Sequence, residues 1–430
     1  MRTVLACAQR ACVFVQLIVF AVGAWAAEPV EPRGELTLAQ AVELALRTNP
    51  ELLASRYELT AAQARIVQAG LRPNPDLDIE LENFAGSGAT TGTDALETTL
   101  SLSQVIELGG KRGSRRAAAE ADLDLISVEQ RARQLDVLAE VTRRFIDVVA
   151  AQQRMQLAQE TSQLAQQTFD ATNARVQAAR SPQAEASRAR IALTRASLES
   201  RQAASELRSA RYGLSAMWGG PEPQFTQASA DLFTLRNVES FASLMSRIER
   251  NPDLLRFASE ARLRDAELRL AQANARPNLA LSIGVRRLEE TNDTALVAGF
   301  SIPLPVFDKN QGAVREAQAR RAQSEAERNS ALIRTRAAMY GLYQGVSAAR
   351  ERAESLRNEA LPQAQTALEQ TQSGYERGRF SFLELLTAQQ EVIELRAAAI
   401  DAATVYHQLL AELERVTSEP LTTELEAPQP

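Results

Sequence analysis

The chain has 430 residues and a formal net charge of −6, with 24% charged and only 5% aromatic residues. One His and two Cys leave little material for zinc, haem or iron–sulfur sites, and a His-dependent triad would have only His407 to use. The acidic balance argues against nucleic acid, while the dominance of Ala, Leu, Arg, Gln and Glu points to long helices or coiled coils.

Residues 1–26 read as an export signal. Arg2 and Arg10 precede or flank an apolar run from Ala11 to Ala26, which ends in the small-residue pattern Ala24-Trp25-Ala26. The run is too short for a membrane span. Cys7 and Cys12 both fall inside the expected signal, so the expected mature chain is held by packing without disulfides. Val4-Leu5-Ala6-Cys7 resembles a lipidation box but precedes the apolar core. No later segment has a run of apolar residues long enough to cross a bilayer as a helix, so any membrane role falls to β-strands.

From residue 36 a helical pattern runs to Arg72-Pro73-Asn74, broken near its start by Asn49-Pro50. Two strands follow. Asp76 to Phe84 alternates Asp or Glu with Leu or Ile, and Leu96 to Ser103 alternates again, the mark of half-buried strands. A polar tip, Ala85 to Ala95, joins them. Gly113 to Ala179 then reads as one very long helix, about 100 Å at helical rise. Leu125, Val128, Ala132, Leu135, Ala139, Thr142, Ile146 and Val149 mark a heptad seam along it. A turn at Arg180-Ser181-Pro182 starts a return helix to about Trp218. Gly219-Gly220-Pro221-Glu222-Pro223 reads as a linker.

The second half repeats the first. Arg47 to Leu53 matches Glu249 to Leu255, Arg72-Pro73-Asn74 matches Arg276-Pro277-Asn278, Leu100 to Leu102 matches Phe300 to Ile302, and Arg175 to Glu185 matches Gly374 to Glu384. The offsets are 202, 204, 200 and 199. The chain therefore divides into a signal (1–26), a first repeat (36–217), a linking segment (218–237), a second repeat (238–417) and a tail (418–430). Lys111 and Lys309, the only lysines, are read as equivalent. In the second repeat, Leu279, Leu281, Ile283 and Val285 share one strand face, as do Leu296, Ala298, Phe300 and Ile302. Pro303 and Pro305 end the last strand. A second long helix, Gly312 to Arg377, carries Pro362 and should be irregular there. It turns at Gly378 to Ser381 into a helix ending near Thr417.

Four strands in two hairpins have no obvious soluble sheet partner. Lipid forbids open sheet edges, and membrane barrels have about eight strands or more, so several chains must combine to close one. Helix packing must then obey the same rotation. A soluble periplasmic coiled-coil scaffold with small hairpins is the alternative of another class.

Gln104-Val105-Ile106-Glu107-Leu108-Gly109-Gly110-Lys111-Arg112, with Arg72-Pro73-Asn74-Pro75, the turn Tyr375 to Leu386 and the duplicated layout, resembles the TolC family of outer-membrane efflux channels. It is most similar to the CzcC-type, heavy-metal branch of resistance–nodulation–division (RND) exporters. The resemblance implies a mainly α fold with a small β part: long antiparallel coiled-coil helices and four transmembrane strands per chain. A homotrimer would complete an α-barrel and a twelve-stranded β-barrel. It implies a passive exit duct in the bacterial outer membrane, extending into the periplasm, with a periplasmic adaptor and an inner-membrane RND pump as partners. No enzyme activity and no cofactor follow from it. Divalent heavy-metal cations are the implied cargo; a multidrug or type I secretion duct of the same fold stays open.

Three groups of residues become candidate sites on this reading. The helix turns Ala179, Arg180, Ser181 and Pro182, and Gly378, Arg379, Phe380 and Ser381, would be the adaptor-docking tips, although either could be a plain helical hairpin turn. Glu384 and its counterpart Glu185 would form an acidic ring at the periplasmic entrance, which favours cations; Thr387 stands where the family has a second acid. Each could instead be a helix-start carboxylate favoured by the dipole. Asp76, Asp78, Glu80 and Glu82 share one strand face, which would line the lumen of a barrel whose outside is apolar. No metal chelate is expected, since these acids lack a converging partner. Gly109-Gly110-Lys111-Arg112 lacks the phosphate-loop spacing, and His407 reads as structural or solvated.

Overall fold

The computed structural model describes residues 31–418. The expected signal, with Cys7 and Cys12, and the tail beyond Ser418 lie outside the described residues. The chain opens with a short strand β1 (Gly34–Leu36) and helix α1 (Leu38–Thr48), which Thr37 starts through a reciprocal capping box with Gln40. Asn49 then restarts the helix. Its side-chain oxygen accepts from the Glu51 and Leu52 N–H groups, and Pro50 fills the first turn of α2 (Pro50–Ala69), where a missing N–H costs nothing.

The other half of the Asn49 amide does separate work. Its Nδ2 donates to the Met217 carbonyl at 2.8 Å, pinning α2 to the far end of the same repeat. Asn251 copies this: it caps the Asp253 N–H at 2.6 Å and donates to the Val416 carbonyl at 2.6 Å. The repeated Asn-Pro pair is thus a cap and a clasp at once.

Next come β2 (Asp76–Glu82), β3 (Glu97–Ile106), the helix α3 (Lys111–Gln177) and its return α4 (Gln183–Ser215). Helix α3 has 67 residues and so runs about 100 Å. The linking segment forms β4 (Phe225–Ala228), which pairs in parallel with β1. In the second repeat follow α5 (Phe241–Arg247), α6 (Pro252–Asn274), β5 (Leu279–Leu288), β6 (Asp293–Ser301), α7 (Gln311–Ser355), α8 (Leu361–Glu376) and α9 (Phe382–Thr417). Between α7 and α8, Leu356–Ala360 widens into a π turn. Pro362 lacks the N–H for a regular turn and crowds the carbonyl behind it, and the wider turn absorbs both defects without stopping the helix.

The two hairpins join into one antiparallel sheet of order β2-β3-β5-β6. Leu100 faces Val285 across the central pair, and Asp76 faces Ser103 while Ala280 faces Ser301 in the flanking pairs. These registers refine the repeat. With Arg72-Pro73-Asn74 matched to Arg276-Pro277-Asn278, Asp76 corresponds to Ala280, so Ser103 corresponds to Ser301. The strand offset is therefore two residues smaller than the sequence match of Leu100 to Phe300. An even correction keeps every side chain on its face. The two extra residues fall before α7, where left-handed Asn310 matches left-handed Gly110. The lysines are consequently not equivalent: Lys111 is the buried first residue of α3, whereas Lys309 is exposed and precedes the cap of α7.

The main core surrounds the middle of α3. Of the expected seam, Ala139, Ile146 and Val149 are buried there, but Val141, Phe145 and Val148 are buried more completely. This part of α3 is packed by α1, β4 and α9 as well as by α4. Trp218, Phe225 and Leu36 fill the strap. Glu31 is buried beside them, accepting from the Ser215 hydroxyl at 2.6 Å and the Trp218 Nε1 at 2.9 Å. A second cluster, with Leu244, Met339, Tyr406 and Leu413, serves the second repeat.

Candidate channel surfaces

The sheet has two faces of opposite chemistry. Strand alternation places Leu77, Ile79, Leu81, Leu100, Leu102, Ile283, Val285, Leu296 and Phe300 on one side. All of them are exposed, Leu296 by 83% and Phe300 by 77%. A continuous apolar sheet face of this kind is stable only against lipid or another apolar surface. Among the described residues no helix is long and apolar enough to cross a membrane.

The opposite face carries Asp76, Asp78, Glu80 and Glu82 on β2 beside Ser103, Ser101, Thr99 and Glu97 on β3. The structure places these four candidate acids on one sheet face, Asp76, Asp78 and Glu80 exposed and Glu82 half-buried, as the alternation required. It also adds a cation that sequence reasoning missed. Arg286 on β5 lies opposite Thr99 and reaches Glu82 at 2.9 Å and Glu97 at 2.8 Å, while its Nε donates to the Thr99 hydroxyl at 2.9 Å. Arg286 followed no motif; only the cross-strand register of the two repeats shows that it meets these acids. The Ser103 hydroxyl donates to Asp78 at 3.2 Å. Acids outnumber bases on this face, so its field favours cations.

Where sheet meets helices, the Gln104 to Arg112 motif proves to be a seam between repeats. Lys111 Nζ donates to Asn278 Oδ1 at 2.6 Å. Gly109 has φ +75°, and a β-carbon there would sit 2.9 Å from the Arg276 side chain, so only glycine lets Arg276 lie across the turn. Arg115 grips Glu107 with two bonds, 2.7 and 3.2 Å, and also donates to the Ala69 and Leu71 carbonyls. Gly109 and Lys111 of this motif thus meet Arg276 and Asn278 of the second repeat.

At the other end, the two helix turns share one geometry. After α3, left-handed Ala179 (φ 54°) lets the Arg180 N–H reach the Arg175 carbonyl at 2.8 Å and its own N–H reach Val176. After α8, Gly378 (φ 75°) does the same, with the Arg379 N–H on the Gly374 carbonyl at 2.8 Å. The lack of glycine in the first turn therefore leaves its shape unchanged; Ala179 bears the left-handed strain. Phe380 folds back onto Gly374, whose absent β-carbon would stand 2.0 Å from the ring.

The two candidate entrance acids occupy different states. Glu384 completes a capping box: its carboxylate accepts from the Ser381 N–H at 2.6 Å and the Ser381 hydroxyl at 2.8 Å. Those two bonds hold its pKa below the ordinary carboxylate value, the backbone one most strongly. Pro182 replaces Ser381 in the first turn and offers no side-chain cap, so Glu185 instead accepts from the Tyr375 hydroxyl at 3.4 Å. Arg175 stacks 4.6 Å over the Tyr375 ring and donates to the Ser181 hydroxyl at 3.3 Å. Tyr375 thereby couples the two turns, a role for which the sequence held no signal. Further along, Arg154–Asp401 and Arg396–Glu160 bridge α3 to α9. His407 is buried, with Nε2 2.9 Å from the Leu232 carbonyl; a carbonyl only accepts, so Nε2 carries the proton. Among the described residues no cluster of three or more His, Cys, Asp or Glu could hold a metal ion.

The family model for outer membrane efflux proteins matches residues 41–220 and 244–419, one match per repeat. The cobalt-zinc-cadmium resistance protein CzcC of Cupriavidus metallidurans is 32% identical over 390 residues, covering 90% of this chain and 91% of the relative. The nickel and cobalt resistance protein CnrC of the same organism is 29% identical, covering 67% of this chain and 68% of the relative. Among solved structures, the outer membrane protein VceC of Vibrio cholerae superposes with a TM-score of 0.71 at 19% identity, covering 90% of this chain and 97% of that one.

Proposed function

Because this chain belongs to the outer membrane efflux protein family, and is thus an outer-membrane exit duct rather than an enzyme, we propose that it passes divalent heavy-metal cations out of the periplasm. The likeness to the cobalt-zinc-cadmium resistance protein over nine-tenths of both chains carries the cargo assignment. The acidic sheet face supports it: with the apolar face in lipid, Asp76, Asp78, Glu80 and Glu82 line the exit and attract cations without holding them.

The duct is a homotrimer. Four strands leave two open edges, and lipid tolerates none, so several copies must close the barrel; the trimer that the family implies gives twelve strands. Its long helices form the periplasmic tunnel. The turns at Ala179 to Pro182 and Gly378 to Ser381 meet a periplasmic adaptor, behind which an inner-membrane RND pump supplies the energy. Near these turns Glu384 and Glu185 contribute negative charge to the entrance. Residues 1–26 are removed on export.

A strain lacking the protein, with and without restored expression, tests the cargo. Growth sensitised to zinc, cobalt or cadmium and rescued by the wild-type chain is the expected result. Unchanged metal tolerance with altered antibiotic tolerance would move the assignment to a drug-exporting duct.

A further inference from the structure

The polar sheet face differs between the two repeats. In the register set by the ladders, Asp76, Asp78, Glu80 and Glu82 of β2 correspond to Ala280, Ser282, Gly284 and Arg286 of β5. Three acids give way to small or uncharged residues, and the fourth gives way to a cation. Strand β6 adds Ala295, Val297, Gly299 and Ser301 to this face, with Asp293 at its start. Arg286 is thus the one cation among the described strand residues of the polar face.

The guanidinium is held on every side. Arg286 shares a cross-strand row with Thr99 and Glu80, yet it turns away from Glu80 toward the hairpin tips. Its Nε donates to the Thr99 hydroxyl at 2.9 Å, one terminal nitrogen donates to Glu97 Oε2 at 2.8 Å, and the other lies 2.9 Å from Glu82 Oε2. The second oxygen of Glu97 accepts from Asn83 Nδ2 at 2.9 Å. Glu82 and Glu97 face each other directly across β2 and β3. Two carboxylates so placed repel, and a cation donating to both offsets that repulsion. The other acids of β2 have no such partner. Asp78 accepts from the Ser103 hydroxyl, and no cation pairs with Asp76, Asp78 or Glu80 among the described residues.

Position gives this difference its meaning. Glu82 ends β2 and Glu97 starts β3, so the pair lies next to the hairpin tip at residues 83–96. With the helices in the periplasm, that is the outer end of the strands, which an outgoing ion passes last. Two facing carboxylates and a nearby hydroxyl are hard oxygen donors of the kind that divalent cations take. A duct gains nothing from an ion that stays at its mouth. Arg286 belongs to the chain, so it competes for these oxygens at the high effective concentration of a tethered group.

We propose that Arg286 is a specificity-determining residue: its guanidinium takes the place between Glu82 and Glu97 that a divalent cation would otherwise occupy. The outgoing ion is drawn along the uncompensated Asp76, Asp78 and Glu80 and released at the tip end. The charge reversal between Glu82 and Arg286 at equivalent places in the two repeats thus separates attraction from retention. This inference rests on the cation-cargo reading and deepens it.

Equilibrium dialysis of the detergent-solubilised channel against Zn²⁺ tests it, with bound metal read per chain and assembly checked by native mass. R286A should retain about one more Zn²⁺ per chain than the wild type, since zinc accepts carboxylate oxygens. R286A/E97Q should lose that gain, because one of the two carboxylates is gone. R286K keeps the positive charge and should stay near the wild type. R286Q, uncharged but still polar, carries the same expectation as R286A should the latter fail to assemble. Uptake by assembled R286A or R286Q no greater than that of the wild type would overturn the proposal. Uptake by R286K equal to that of R286A would overturn it as well, because a structural role would then explain the gain. Dialysis reads Arg286 alone, whereas growth of the deletion strain on metals reads the cargo. A zinc gain in R286A together with metal tolerance that ignores the protein would support the exclusion by Arg286 and sink the cargo reading.

Discussion

Gly374→Ala should open the second helix turn. In an ordinary helix this change stabilises by about 1 kcal/mol, because alanine loses less backbone freedom. Here the new β-carbon would lie 2.0 Å from the Phe380 ring, so the ring must leave. Phe380 is 43% exposed. Rather more than half of a phenylalanine surface is about 110 Å², worth roughly 3 kcal/mol at 25 cal per Å². The net loss is then about 2 kcal/mol, a roughly thirtyfold larger opening constant for the turn. Arg377 and Arg379 flank the turn and make its opening visible to trypsin. Cleavage of the detergent-solubilised channel tracks that constant when reclosing outpaces cutting. In a Phe380→Ala background the clash is gone, so the same Gly374→Ala change should slow cleavage about fivefold through helix propensity alone. Cleavage unchanged or slowed by Gly374→Ala alone would refute the packing argument.

Ala179→Gly should protect the first turn by about 1 kcal/mol, since it relieves a left-handed alanine, and slow cleavage there several-fold; Gly378→Ala should do the reverse at the second. On the sheet, Leu296→Arg should cost about 2–4 kcal/mol if that face meets lipid, seen as a loss of folded channel from the outer membrane, whereas Ala295→Arg on the opposite face should assemble normally. His407 gives a pH signature. Burial lowers its pKa, so the unfolded chain binds the extra proton first. Stability from neutral His407 is full above the unfolded pKa of about 6.5 and is lost as pH falls through the lower folded value. His407→Gln should flatten that part of the stability profile in thermal melts between neutral and mildly acidic pH.

The sequence by itself determined the local structure and its duplication. Alternation of acids with Leu and Ile in residues 76–82 fixes which side chains share a strand face, because a pleated strand has a period of two. An uninterrupted stretch without Pro or Gly fixes the length of α3, and Asn-Pro pairs fix where α2 and α6 begin. Pro362 announced an irregularity because its missing N–H is a local fact. Tertiary structure alone decided what the repeats do to one another. Pairing of β3 with β5, the Arg286 bridge to Glu82 and Glu97, the Lys111 bond to Asn278 and the Tyr375 link between turns all join residues more than 150 positions apart. No local pattern encodes such meetings; they follow from the relative placement of whole elements. The strand match slipped by two residues for the same reason: an even shift preserves the face pattern that the sequence shows, and only the hydrogen-bonded registers distinguish one even offset from the next.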